Sequence, residues 1–232
     1  MYLSLKVRWH KEVALKFPEL AICTGIIRGV SVGPVTSEVE ELRNEIFEEA
    51  RKSHLLEKLK NNPVVRAYRD FFWSLDIDPT KIRPSGEALL RRVLQGKGIP
   101  KISNVVDAYN LASLKTIIPL SGYDLDIISP PLTIRFSNEN EIFQGIGMSE
   151  PKKLERRMLV LTDQKRILCV YPYRDADATK ITEKTRNVLI VGYGAPKIAT
   201  EKLEEAVETA LKLIRRVAGG TVEEVKLHLC VI

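Results

Sequence analysis

The spacing of apolar positions changes several times along this chain. Apolar and polar residues alternate from Tyr2 to Trp9, and Leu20 to Val32 is dense in Ile and Val, so two early strands are predicted. Ser37 followed by Glu40 has capping-box spacing, and Val39, Leu42, Ile46, Phe47 and Ala50 recur at helical intervals; a helix starting at Ser37 is expected. Asn62-Pro63 marks another start, because proline's fixed φ suits the first helical position, and Tyr68, Phe71, Phe72 and Leu75 then face an interior. Asp76 to Lys81 reads as a turn. A third helix opens at Pro84 and runs through Leu94, with Gly96 and Gly98 past its end, and a fourth spans Val105 to Lys115 until Pro119 stops it.

Beyond Pro119 the pattern turns to short β-prone runs at Leu132–Phe136, Met158–Thr162, Ile167–Tyr171 and Asn187–Val191. Asp163-Gln164-Lys165 has the character of a hairpin connection, which makes part of the sheet antiparallel. The last helix is the most periodic. Thr200 stands at its start, Leu203, Ala206, Val207, Ala210, Leu211, Ile214 and Val217 share a face, and Gly219-Gly220 ends it. A closing strand covers Val222 to Ile232. Without a repeat or a Pro/Gly/Ser linker, the reading is one α+β domain over residues 1–232, a mixed, partly antiparallel sheet flanked by helices. Residues 1–79 form its strand-and-helix N-terminal portion, and residues 80–220 hold the polar motifs.

Composition narrows the class. With 44% hydrophobic and 28% charged residues the chain can bury a core, which excludes disorder and collagen-like repeats. Apolar runs such as Leu20–Ile27 fall short of the roughly 20 residues a membrane crossing needs, so no membrane span is expected. Cys23, Cys169 and Cys230 are odd in number and sit in apolar surroundings, implying buried thiols in a reducing compartment; with no secretory leader pattern at Met1–His10, a cytoplasmic protein is expected. His10, His54 and His228 lack zinc-site spacing, and neither a metal nor a cofactor is expected. P-loop, dinucleotide, G-x-S-x-G and H-E-x-x-H signatures are absent, which removes ATP-dependent and serine-hydrolase readings. The formal charge of +6 favours an anionic partner only slightly. Lys152, Lys153, Arg156 and Arg157, and separately Arg91, Arg92, Lys97 and Lys101, read as phosphate contacts or as solvated faces.

Four polar segments carry candidate chemistry. Arg83 to Glu87 reads first as a helix start with Glu87 near the dipole. In 104–114, helical spacing places Asp107 and Asn110 on one face and Asn110 and Ser113 on another, so these three side chains either converge on a site or face water. In 119–126, Gly122 permits close approach of a ligand. Asp124 and Asp126, spaced as same-face strand residues, would receive an amine or a cation; an Asx turn is the simpler account. From Tyr171 to Asn187 the chain is densest in polar groups: Arg174, Asp175, Asp177, Thr179, Thr182, Thr185 and Arg186 suit an amino acid or a ribose and phosphate, or a Thr-rich loop. Asp175 with Asp177 as a Mg²⁺ pair is the less favoured alternative.

In their order, N-V-V-D-A-Y-N-L-A-S-L at 104–114, P-L-S-G-Y-D-L-D at 119–126 and T-K-I-T-E-K-T-R-N-V-L at 179–189 resemble the B3/B4 domain of the phenylalanyl-tRNA synthetase β subunit. R-P-S-G-E-A-L-L-R-R at 83–92 is similar to the stretch preceding them in free-standing proteins with this domain. The resemblance implies an α+β module that, in the synthetase, edits tyrosine wrongly attached to tRNA by hydrolysing the ester at the tRNA 3′ end. It implies tRNA, aminoacyl-tRNA or an amino acid as partner, with trans editing or binding without chemistry as the two outcomes. The implied substrate-binding set is Asp107, Asn110, Ser113, Ser121, Gly122, Tyr123, Asp124, Asp126, Asp175, Asp177, Thr179, Thr182, Thr185 and Arg186. No catalytic residue carries over, because Ser121 stands where bacterial synthetases have an editing His and Val191 where they have a Glu. Asp124 or Asp126 is the expected partner of a substrate ammonium group.

Overall fold

Local chemistry sets where most helices begin. In the computed structural model, which describes residues 5–155 and 157–231, α1 (Lys11–Lys16) is too short for its periodicity to show in sequence. The cap of α2 (Ser37–Ser53) is Thr36, whose hydroxyl accepts from the Val39 N–H, one residue earlier than the capping-box spacing implied. Asn62 caps α3 (Pro63–Ser74) through the N–H groups of Val64 and Val65. Then follow α4 (Ser85–Leu94) and α5 (Asn104–Thr116), the latter capped by Ser103 and ended by Ile117 in the left-handed region, two residues before Pro119. A Cβ at Gly86 would collide with the Ile117 carbonyl, so α4 can lie against this turn only with glycine there. The long α6 (Thr200–Ala218) starts after Ala199 without the side-chain cap expected from Thr200.

The strands divide between two sheets and a small hairpin. The first sheet has the order β11-β2-β10-β3, formed by β2 (Ala21–Arg28), β3 (Leu120–Asp124), β10 (Asn187–Tyr193) and β11 (Thr221–Leu229), all antiparallel. The second has the order β1-β4-β7-β8-β9, from β1 (Val7–Trp9), β4 (Leu132–Phe136), β7 (Leu159–Thr162), β8 (Ile167–Val170) and β9 (Arg174–Asp175). Here β1 and β4 run parallel and the rest antiparallel, so the expected mixed α+β class holds. β5 (Ile142–Phe143) pairs with β6 (Lys152–Lys153). As predicted, 163–165 lies in the link between β7 and β8, which runs over 163–166, with the Asp163 carboxylate accepting from the Lys165 and Arg166 N–H groups. The predicted first and last strands extend to Tyr2 and Ile232, which lie outside the described residues, as does Arg156.

α6 and α5 cover one face of the first sheet. Gly25 makes this close approach possible, since a Cβ there would sit 2.6 Å from Val207 and 2.7 Å from Leu211 of α6. On the opposite face Tyr193 meets Tyr171, ring centroids 4.8 Å apart, while the hydroxyls of Tyr68 and Tyr171 donate to the carbonyls of Tyr193 and Gly194. A second core joins α2, α4 and α5 through Leu42, Ile46, Leu90, Val93, Leu111 and Leu114. All three cysteines are buried and free, as their surroundings implied.

On β11, His228 lies 2.9 Å from the Thr24 hydroxyl, and burial is the main cause that lowers its imidazole from 6.5 to about 4. A depressed folded-state value stabilises the fold above pH 6.5, and that contribution disappears as pH falls toward about 4. For this partly exposed ring we expect a loss of about 1–2 kcal/mol across that window. Urea titrations at several pH values check it: His228→Gln should flatten this component, and an unchanged slope would assign it elsewhere.

Candidate functional site

The β3–β10 register sets Ser121 opposite Val191 and Tyr123 opposite Leu189, so Ser121 and Tyr123 project from the same face of the first sheet. Across the gap, β9 delivers Asp175. One carboxylate oxygen, Oδ1, accepts from the Ser121 hydroxyl at 2.7 Å and from the Tyr123 hydroxyl at 2.7 Å. Tyr123 and Tyr193 hydroxyls are 2.5 Å apart, and Cys169, paired with Asp175 in the β8–β9 ladder, completes the group. Burial raises the Asp175 carboxyl above its ordinary range, against the lowering effect of the Ser121, Tyr123 and Cys169 hydrogen bonds and of Arg174. Burial likewise pushes the Tyr123 and Tyr193 phenols and the Cys169 thiol well up, so all three are protonated at neutral pH. The result is a half-buried acid surrounded by neutral donors, suited to receive a cation or to move a proton.

The neighbourhood is tightly closed on one side. A Cβ at Gly122 would lie 2.7 Å from the Tyr109 ring and 2.8 Å from the end of Ile181, so glycine lets both side chains cover the strand. Lys180 bridges to Tyr123 along the edge of β3, and the neighbouring Thr179 hydroxyl is buried with no hydrogen-bond partner among the described residues.

Several expected site residues have other roles. Asp107 turns away to a buried ion pair with Arg43 of α2 and accepts from the Ile102 N–H at 2.9 Å; Ser113 donates to the Ile118 carbonyl at 2.7 Å. Asp107, Asn110 and Ser113 therefore do not converge, because the first and last are used to fasten α5. The strand ends at Asp124 and a 3-10 turn covers Leu125–Ile127, so Asp124 and Asp126 are not same-face strand residues. Asp124 accepts from the Thr185 hydroxyl at 2.7 Å, and Asp126 accepts from the Asn187 side chain at 2.8 Å. Asp177 pairs with Lys180 rather than with Asp175, and among the described residues no cluster of three or more His, Cys, Asp or Glu could hold a metal. The Thr182 N–H donates to Thr185, and Arg186 donates to the Glu183 and Thr185 carbonyls; these bonds shape the 182–186 loop. Glu87 is buried and grips Arg69 through both oxygens, a larger role than the dipole reading gave it. Tyr193 and Cys169 were missed, since an apolar strand pattern gives no local sign that an aromatic hydroxyl or thiol meets a carboxylate.

The sequence model of the B3/4 domain matches residues 67–219, which include the three ordered motifs. The chain belongs to the B3/4 domain family. This B3/4 chain is 25% identical over 159 residues to the phenylalanine–tRNA ligase β subunit of Haemophilus ducreyi, a match covering 59% of the chain and 20% of the relative. It is 33% identical over 115 residues to that of Dehalococcoides mccartyi, covering 49% and 14%. With the Staphylococcus epidermidis subunit the identity is 26% over 206 residues, 78% of the chain and 25% of the relative. The matches therefore span about a quarter or less of these relatives' length. Its fold is similar to an N-terminal fragment of the phenylalanyl-tRNA synthetase β subunit from Pyrococcus horikoshii, with a TM-score of 0.51 at 14% identity, covering 95% of the chain and 51% of the fragment. In the B3/4 chain, the two positions where the resemblance anticipates His and Glu, Ser121 and Val191, are direct cross-strand neighbours, and Ser121 donates to the Asp175 carboxylate. No helix among the described residues is long and apolar enough to cross a membrane.

Proposed function

We propose that this B3/4 chain recognises the aminoacyl end of a tRNA, with Asp175 receiving the ammonium group of the attached amino acid. The observation that carries this reading is the position of Asp175: its carboxylate is fixed by Ser121 and Tyr123 at the point where β3 and β10 bring together the two positions linked to editing by the motif resemblance. Membership of the B3/4 family and relatives that are phenylalanine–tRNA ligase β subunits support a tRNA partner. Hydrolysis of the ester in trans is the second reading, favoured by the raised Asp175 carboxyl, since a base is most effective when its pKa approaches the working pH.

The test is a panel of aminoacyl-tRNAs presented to the wild-type chain, to Asp175→Asn and to an Asp124→Ala/Asp126→Ala control, with retention and amino-acid release read in the same samples. Asn can still accept from Ser121 and Tyr123 but lacks the charge. Loss of a charged hydrogen bond worth roughly 1.5–3 kcal/mol should weaken retention tenfold or more, and the control should match the wild type. Release abolished by Asp175→Asn would establish the hydrolase. Retention that is absent, or indifferent to the charge at position 175, would refute the assignment.

A further inference from the structure

The positive charge of the chain is unevenly spread. Residues 51–66 hold Arg51, Lys52, Lys58, Lys60 and Arg66 against one carboxylate, Glu57, an excess of four within a whole-chain excess of six. This segment runs from the last turn of α2 through the connecting loop into α3. It borders a cleft of about 550 Å³ lined by Lys52, Ser53, His54, Lys58, Asn61 and the exposed Leu55, with no carboxylate in its lining. A concave, acid-free surface focuses positive potential and suits a ligand with repeated negative charges. Resting on the reading of a tRNA end at Asp175, we propose that this cleft is a second RNA contact, holding backbone phosphates upstream of that end.

Helix energetics account for only part of this charge. Arg51 and Lys52 complement the carbonyl end of α2, and Arg51 pairs with Glu48 at 2.8 Å. Lys58 and Lys60 instead precede the start of α3, where the helix dipole opposes cations. Among the described residues, Lys52, Lys58 and Lys60 form no ion pair. Several of the other basic candidates are offset by acids. Arg91, Lys101 and Arg157 are held by Glu87, Glu40 and Glu12, while Lys152 and Lys153 share their cavity with Asp76, Asp78 and Glu155. Position also favours RNA. The first turn of α3 lies at the cleft, and its last turn packs Phe71 on Tyr171 and Phe72 on Tyr173, two residues from Asp175, with ring centroids 6.1 and 6.3 Å apart. The 12 residues of α3 span about 18 Å, which roughly five stacked nucleotides cover at about 3.4 Å each, so one strand is long enough to reach both places.

Filter binding of one tRNA, deacylated and aminoacylated, over a series of salt concentrations tests this, with circular dichroism confirming that each variant is folded. Lys52→Gln/Lys58→Gln/Lys60→Gln should bind both forms about tenfold more weakly at about 0.1 M salt and lower the slope of log K against log salt by about 2–3, since each phosphate contact contributes about 0.7–0.9. Removing the same number of charges elsewhere, in Lys97→Gln/Lys152→Gln/Lys153→Gln, should leave binding close to the wild type. Asp175→Asn should weaken the aminoacylated form alone, so the two assignments fail separately. Loss in the first triple variant without loss in Asp175→Asn keeps the cleft and removes the role of Asp175; the reverse keeps Asp175 and removes the cleft. A wild type that does not bind deacylated tRNA, that prefers phosphatidylserine vesicles to it, or that loses affinity equally in both triple variants also overturns the proposal.

Discussion

Asp107→Ala should lose about 3–5 kcal/mol of folding stability, because it strands a guanidinium inside the protein. Asp107 is 0% exposed and Arg43 is 4% exposed. Arg43 donates to the Ile99 carbonyl at 2.9 Å as well as to Asp107, which in turn holds the Ile102 N–H, so one contact fastens α2, the 99–103 turn and the start of α5. Burial raises the Asp107 carboxyl even with Arg43 beside it, so desolvation outweighs the attraction and the ion pair is a poor source of net stability. It follows that removing both charges costs less than removing one. Arg43→Met/Asp107→Leu should be closer to the wild type in urea unfolding than Asp107→Ala is. A single-variant loss below about 1 kcal/mol would show that the site relaxes and rehydrates.

Glu87→Ala should cost about 2–3 kcal/mol through a different mechanism, repulsion among cations. Arg69 reaches both Glu87 oxygens, at 2.8 and 2.5 Å, and Arg91 and Arg83 stand at 3.6 and 4.0 Å. The Nε groups of Arg83 and Arg91 are buried without hydrogen-bond partners among the described residues, so Glu87 is the charge around which three guanidiniums from α3, α4 and the segment before α4 gather. Since these arginines are 21–36% exposed at their side chains, solvent screening keeps the cost below that of Asp107→Ala. Screening also supplies the check. Salt should restore part of the stability of Glu87→Ala and change the wild type little, as like charges near the surface are shielded over about 10 Å at 0.1 M. A salt-independent deficit would point instead to lost packing.

The two ion pairs show how a sequence reading goes astray at polar positions. Asp107 and Ser113 have the spacing of a site, yet their partners, Arg43 and the Ile118 carbonyl, come from segments whose proximity helical periodicity does not encode. Asp124 and Asp126 have strand spacing, but the strand stops at Asp124, and the pair diverges to Thr185 and Asn187. Ser121 and Tyr123 were legible as members of an ordered motif and Asp175 as part of the polar stretch from Tyr171 to Asn187, although nothing local showed that they meet.

What the sequence determined by itself is therefore the local part of this protein. Apolar periodicity, caps and glycine stops placed the major helices and the 163–165 hairpin, because those signals act within a few residues. The ordered motifs placed the chain in the B3/4 family. Tertiary structure alone decided that the strands form two sheets and that Asp175 reaches Ser121, 54 residues away, while Tyr123 reaches Tyr193 over 70. Strand register and sheet packing are long-range choices made by the whole core, and only they bring a serine, two tyrosines, a cysteine and an aspartate into one group.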